Sequence, residues 1–185
     1  GDVIINEIII ENEININKFV LDNGLRVVHY EDKTSPMVIL NTLYVVGSKD
    51  EKIEKTGFAH LFEHLMFGGT KNFPSFDEPI QKAGGENNAW TSTDFTNYYV
   101  VMPANNAEVA FCLEADRMMT LDFSRKSLDV QRHVVCEEFK QRYINQPYGN
   151  LSHHLKKLCF GSHPYGWPPI GLKLSHIEEA TLDDV

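Results

Sequence analysis

The apolar and polar positions change period several times along the chain, and each change marks a predicted element. Residues 18–30 contain two short β-branched runs on either side of Asn23-Gly24, a pattern that predicts a β-hairpin with a type I′ turn. Residues 37–47 are a dense apolar run that ends at Gly47, as in a strand covered on both faces. The chain is therefore expected to open with strands.

From Thr56 onward, the spacing of the apolar residues becomes typical of an α-helix. Thr56 is predicted to cap a helix that begins near Gly57 and ends at Gly68-Gly69. Amphipathic patterns predict four further helices, within residues 75–85, 104–120, 124–146 and 151–160. Residues 93–102 return to strand composition. Because strands and helices mix without a linker or a repeat, we expect one layered domain over residues 1–185, of the α/β or α+β class.

Composition narrows the class of partner. The 185 residues include 17 basic and 26 acidic side chains, and a formal charge of -9 argues against nucleic acid or an anionic membrane as the main partner. No apolar run is long enough for a membrane span. Residues 1–20 lack the basic region and cleavage site of a signal peptide, but the chain does not begin with methionine. A cytoplasmic and an exported location therefore both stay open.

The stretch HLFEH, at residues 60–64, puts two histidines and a glutamate into the first predicted helix. At about 100° per residue, His60, Glu63 and His64 share one side, and the two imidazoles project together one turn apart. The opposite side is an apolar stripe expected to face the core: Phe58, Leu61, Phe62 and Leu65. Two histidines at this spacing can chelate one metal ion, and HxxEH is a metallopeptidase pattern. A solvated helix face is the alternative for the three polar residues.

A catalytic zinc ion usually has three protein ligands and one open position, so two histidines need a third ligand. The helix predicted within residues 124–146 offers two adjacent glutamates, Glu137 and Glu138. Helical phase puts Glu138 at the edge of the apolar face, where a carboxylate is costly unless it is paired or bound to metal. Glu137 can simply be hydrated. We therefore predict Glu138 as the third ligand.

With His60, His64 and Glu138 as ligands, Glu63 is left near the open position and can take a proton from a bound water molecule. Zinc acidifies its water and polarises a carbonyl group, so the set predicts hydrolysis at neutral pH. A structural zinc site with a closed fourth position is the alternative. Cys136 is the nearby candidate for that fourth ligand, but helical phase turns it away from Glu138.

Beyond this motif, the chain resembles the N-terminal catalytic domain of the pitrilysin (insulinase-type) zinc metallopeptidases, the inverzincins. Five blocks match that family in its order: LDNGLRVV (21–28), VVGSKDE (45–51), TGFAHLFEHLMFGGT (56–70), AGGENNAWTSTDFTNYY (83–99) and VVCEEFKQ (134–141). The resemblance implies an α+β half-domain of two layers, with a mostly antiparallel sheet packed against helices. It also implies the same zinc ligands and general base, and a second homologous half that this chain lacks.

The family motif further implies that Asn88-Ala89 lies beside the scissile bond and that an extended substrate pairs with a nearby edge strand. A polar turn leading into a strand is the ordinary interpretation of residues 84–90, and both can hold together. One position departs from the family. Many relatives carry an acidic residue seven positions before the distal ligand, where this chain has Gln131, so the surroundings of Glu138 are expected to differ.

These inferences together predict a zinc metalloendopeptidase domain that hydrolyses extended peptides or unfolded polypeptides. Relatives take substrate-orienting residues from the second half, so the chain alone is expected to be weakly active or inactive without a C-terminal half-domain or a partner subunit. The alternative is a non-catalytic scaffold or binding subunit, which the family also contains. The intact HxxEH sequence argues against that alternative.

Overall fold

The computed structural model describes residues 16–185, so most of the stretch inspected for a signal peptide lies outside the described residues. The chain divides into two compact units, one reaching to Pro36 and one spanning Met37–Val185. From residue 16 onward, no helix is both long enough and apolar enough to cross a bilayer.

In the first unit, the described residues form a β-hairpin, as predicted. Strand β1, Ile16–Val20, pairs with the antiparallel strand β2, Arg26–Tyr30. The expected type I′ turn is wrong, because that turn needs positive φ at both central residues, and here Gly24 has φ 88 whereas Asn23 is not at positive φ. The Gly24 N–H donates to the Leu21 carbonyl at 2.8 Å, which gives a longer connection with a glycine bulge.

The second unit holds the remaining strands and helices, of which the first five helices follow the predicted order and the sixth was not predicted. In chain order, the strands and helices of this unit are β3 (Met37–Tyr44), α1 (Phe58–Leu65), α2 (Asp77–Lys82), β4 (Glu86–Thr91), β5 (Thr96–Pro103), α3 (Ala107–Thr120), α4 (Arg125–Phe139), α5 (Leu151–Phe160) and α6 (Leu174–Glu178). A π-helical turn, Lys140–Ile144, continues α4. The three strands form an antiparallel sheet in the order β3-β5-β4. The α+β class with an antiparallel sheet is thus confirmed.

Helices cover one face of this sheet. Val100 and Met102 of β5 are buried in one cluster with Ile80 of α2 and with Ala110 and Leu113 of α3. The valine, methionine, isoleucine and leucine side chains each contribute roughly 1.5–3 kcal/mol when they are removed from water. The sheet and the two helices therefore form the two expected layers.

The prediction that β3 is covered on both faces is wrong. Val38 and Leu40 pack against the helical layer, whereas the alternate residues Met37, Ile39 and Leu43 are 42%, 67% and 51% exposed. One face of an antiparallel sheet can pack against helices while the other face stays exposed. An unbroken apolar run in the sequence does not show which faces are covered.

The polar turn leading into a strand, expected over residues 84–90, ends before Glu86, and residues 86–91 form the strand β4. The strand follows Gly84-Gly85 and pairs with β5 from Glu86↔Val101 to Thr91↔Thr96. Asparagine and glutamate are poor strand formers, so pairing with β5 overrides the local preference.

Helix α1 is held by the core that its apolar stripe was predicted to enter. Leu61 and Leu65 are buried against Leu128 and Val135 of α4 and against Ile177 of α6. The same packing of α1 on α4 keeps His60 and His64 of α1 close to Glu138 at the end of α4.

The expected Thr56 cap is wrong, because Gly57 is the N-cap residue of α1 and no side chain of its own caps the helix. Thr56 is fully buried, and its hydroxyl lies 2.8 Å from Nδ1 of His176 and accepts the Leu172 N–H at 2.8 Å. The hydroxyl is therefore used between segments and not at the helix end.

Gly57 is expected to be intolerant of alanine. Its φ is 90, and an added Cβ would lie 2.6 Å from the Ile170 carbonyl oxygen. Gly57→Ala should lower the free energy of unfolding by about 3 kcal/mol or more, measured by urea titration, because strain and a backbone clash add together. Gly84→Ala is the matched control: its φ is 77, but the nearest atom is Pro103 Cγ at 3.6 Å. It should cost about 1–2 kcal/mol, and equal losses would contradict the role of the clash.

Candidate metal centre

Two helices bring three potential metal ligands together. Nε2 of His60 and Nε2 of His64, one turn apart on α1, lie 3.3 Å from each other. Oε2 of Glu138, at the end of α4, lies 3.6 Å from the first of these nitrogens and 3.5 Å from the second. The three side chains are only 12%, 23% and 20% exposed, so the cluster is not a solvated helix face.

The shape of this triangle fits a zinc ion. Zinc in proteins binds imidazole nitrogen at about 2.0–2.1 Å and carboxylate oxygen at about 2.0–2.2 Å in tetrahedral geometry, which separates neighbouring ligand atoms by roughly 3.4 Å. The three observed separations are 3.3, 3.5 and 3.6 Å. Two imidazoles and one carboxylate also leave a fourth position open, as in hydrolytic zinc sites.

The charges of the cluster suit a cation. Burial, together with the neighbouring His64, lowers the pKa of His60 to about 4, so this imidazole is neutral at pH 7 and has a free lone pair. The contact with His64 lowers the pKa of Glu138, which keeps this carboxylate ionised. Metal binding requires these protonation states.

Glu63 lies beside the triangle and outside it. It stands between the two histidines in the sequence of α1, and only 9% of the residue is exposed. Burial raises the pKa of its carboxyl group. The Thr91 hydroxyl, at the end of β4, donates a hydrogen bond to Oε2 of Glu63. Sequence reasoning missed Thr91, because nothing local in the sequence shows that β4 ends against α1.

Glu138 and Glu137 have different surroundings. Arg142, in the π-helical turn, donates to Oε1 of Glu138 at 2.7 Å and leaves Oε2 to face the histidines. Glu137 is 46% exposed and pairs with Lys140. Cys136 is buried in the core beside α1 and is not one of the clustered groups. Arg142 was also missed, although its position four residues after Glu138 is a recognisable helical pairing signal.

Asn88 and Ala89 lie on β4, which pairs with β5 along one edge and has no partner strand along the other within residues 16–185. Asn88 is exposed, and its Oδ1 accepts the Ala89 N–H at 2.8 Å. Both residues belong to the same short strand as Thr91. The strand that carries this pair is therefore itself a sheet edge that reaches Glu63.

A His-His-Glu triangle that could hold a metal ion, with a further buried glutamate nearby, is an arrangement that also occurs in hydrolytic zinc sites. Comparison with known proteins gives the family. Residues 26–167 match the model of "Insulinase (Peptidase family M16)", and the chain belongs to this family.

Two of its similar proteins come from Helicobacter pylori. The zinc protease PqqE is 37% identical over 169 residues, which are 89% of this chain and 38% of that protein. The crystal structure of a protease from the same organism superposes with a TM-score of 0.87 at 35% identity, over 92% of this chain and 41% of that one. An M16 inactive domain from Pseudomonas fluorescens is 20% identical with a TM-score of 0.82 over 92% and 42%, and shows the shared fold. The chain thus spans about two fifths of these proteins.

Proposed function

We propose that this chain is the metal-binding part of a zinc metalloendopeptidase that hydrolyses extended peptides or unfolded polypeptides. The observation that carries the proposal is the triangle of His60, His64 and Glu138 with Glu63 directly beside it. The name of the zinc protease PqqE supports the metal and the reaction class. The inverzincin pattern HxxEH at residues 60–64 supports the assignment of roles.

His60, His64 and Glu138 would hold the metal, which when bound supplies an acidified water molecule and polarises the peptide carbonyl. Glu63 accepts the proton of the attacking water and then delivers it to the departing amine nitrogen. Its raised pKa makes the carboxylate a better proton acceptor than an ordinary surface glutamate. The Thr91 hydroxyl holds one carboxylate oxygen and leaves the other for the proton.

An extended substrate would add to the unpaired edge of β4. Backbone hydrogen bonds with an edge strand bind a peptide without requiring a particular side-chain sequence, and Asn88 and Ala89 would form part of this edge. Thr91 connects the same strand to Glu63, so a peptide on this edge would lie next to the base. This geometry favours extended peptides and unfolded chains over folded proteins.

The complete activity is proposed for a larger assembly. The matched stretch is 38% of the length of PqqE and 41% of the Helicobacter pylori structure. We propose that a second homologous half, in the same protein or in a partner subunit, completes the substrate site and that this chain alone is weakly active or inactive.

A scaffold role is the second candidate, because one protein of this fold is titled an inactive domain. That similarity, at 20% identity, concerns the fold. The convergent ligand atoms and the buried Glu63 favour the peptidase, because a scaffold has no use for a buried carboxylate beside two histidines.

Elemental analysis tests the proposal. The whole protein, purified without added metal or a histidine tag, should carry about one zinc ion for each site formed by His60, His64 and Glu138. Hydrolysis of an unfolded polypeptide should stop on chelation and return on addition of zinc. Substitution of the exposed His133 by alanine is the control and should retain the metal. Absence of zinc after its addition, or hydrolysis that is insensitive to chelation, would contradict the proposal.

A further inference from the structure

Helix α1 begins without a cap of its own. Its N-cap residue is Gly57, which has no side chain to accept an N–H, and the preceding hydroxyl of Thr56 is already bonded to His176 and Leu172. The first N–H groups of a helix have no intrahelical acceptor, so they need partners from elsewhere. For an eight-residue helix this is a large fraction of its backbone donors.

The carboxylate of Glu51, six residues before the N-cap residue, supplies the missing acceptors. Oε2 of Glu51 accepts the Gly57 N–H at 3.0 Å, and Oε1 accepts the Ala59 N–H at 2.9 Å. Ala59 occupies the second helical position, whose N–H is commonly bonded by an N-cap side chain. A negative charge at this end is also favoured by the helix dipole.

The same carboxylate joins α1 to a second segment. The indole N–H of Trp167 donates to Oε2 of Glu51 at 3.0 Å and to the Ser48 carbonyl at 3.1 Å. Trp167 follows α5 and is 4% exposed. Three N–H donors therefore converge on one carboxyl group, whose pKa burial nevertheless raises to about 7. Burying a carboxyl group costs more free energy than burying an apolar side chain of similar size. This position therefore requires the hydrogen bonds that Glu51 makes and not merely a side chain that fills the space.

We propose that Glu51 is a positioning residue for α1: it replaces the absent helix cap and fixes where the histidines stand relative to Glu138. His60 directly follows Ala59, so a shift of the helix start displaces its imidazole from a carboxylate oxygen only 3.6 Å away. The inference rests on the proposed metal site, since it assigns Glu51 an effect on metal affinity and not only on stability.

The test is zinc affinity of the whole protein by competition with a chromophoric chelator, together with kcat and KM for an unfolded polypeptide. Glu51→Gln offers one acceptor oxygen in place of two, and its amide group faces an N–H donor. We expect zinc affinity to fall roughly tenfold, the lower end of the range for residues that orient metal ligands, and kcat to fall more than KM rises. Glu54→Gln, an exposed neighbour, is the matched control and should behave as wild type.

Trp167→Phe keeps an aromatic ring in the core and both backbone hydrogen bonds of Glu51, and so provides a test should Glu51→Gln fail to fold. It should weaken zinc binding in the same direction by a smaller factor. Wild-type zinc affinity in a folded Glu51→Gln, or in Trp167→Phe if the first variant does not fold, would overturn the positioning role. A wild-type protein that binds no zinc would instead overturn the proposed function, so the two failures are distinguishable.

Discussion

Replacing Glu63 by glutamine is expected to abolish peptide hydrolysis while the metal stays bound. The side chain keeps its size and can still contact the Thr91 hydroxyl, but an amide cannot take a proton from water. General-base catalysis contributes roughly 10²–10⁴-fold, so kcat of the whole protein should fall by about that factor. Single-turnover hydrolysis of an unfolded polypeptide and zinc content measured on the same preparation separate chemistry from metal loss.

Glu137→Gln is the matched control for this variant, because it makes the same chemical change at a glutamate that is 46% exposed and paired with Lys140. It should hydrolyse at the wild-type rate. If Glu63→Gln retained turnover with zinc bound, Glu63 would not be the general base. If it lost zinc, Glu63 would have to be reassigned as part of the ligand set.

Glu138→Ala is expected to weaken zinc binding far more than Glu137→Ala. The first change removes one corner of a triangle whose edges at that corner are 3.5 and 3.6 Å, whereas the second removes a surface ion pair. Loss of a direct ligand should exceed the roughly 10–100-fold effect of residues that only orient ligands. A surface ion pair contributes about 0–1 kcal/mol to stability, so Glu137→Ala should be almost silent.

Competition with a chelator, followed by unfolding curves in the presence and absence of zinc, measures this difference. Zinc should raise the unfolding midpoint of the wild type and of Glu137→Ala and leave that of Glu138→Ala nearly unchanged, because a ligand stabilises the folded state by RT ln(1 + [L]/Kd), which becomes small when the affinity is lost. A reversed ranking of the two glutamates would show that the metal does not bind in the triangle.

The helices were the most predictable part of the fold, because their signals are local. The segment 151–160 was expected as a helix, and α5 spans Leu151–Phe160. The apolar stripe of α1 correctly identified Leu61 and Leu65 as core residues, since a 3.6-residue period assigns sides before any partner is known. The same logic separated Glu138 from Glu137, and the structure brings Glu138 to the histidines and leaves Glu137 at the surface.

The failures occurred where a distant segment decides the outcome. Thr56 has the composition of a helix cap, but His176 and Leu172 take its hydroxyl. No local pattern reports these two partners, because His176 and Leu172 lie 120 and 116 residues away from Thr56 in the sequence and come close only in the folded protein.

The sequence also did not reveal the contacts around the site, because the residues that make them are far apart in the sequence. Thr91 reaches Glu63, and Trp167 reaches Glu51, across long stretches of sequence. The motif HLFEH therefore predicted which residues could perform the chemistry, whereas the residues that hold them in place required the structure.

The hydrogen bond from Thr91 to Glu63 also fixes the position of Glu63 relative to the backbone groups along the edge of β4. A strand presents outward-facing backbone groups at every second residue, about 6.6–6.8 Å apart, so a peptide that adds to β4 keeps its pairing only when it slips by two residues. Because Glu63, the proposed base, is hydrogen-bonded to the end of that same strand, each such slip would move the attacked bond by two residues as well. The cleavage sites along a peptide would then lie an even number of residues apart, whatever side chains the peptide carries.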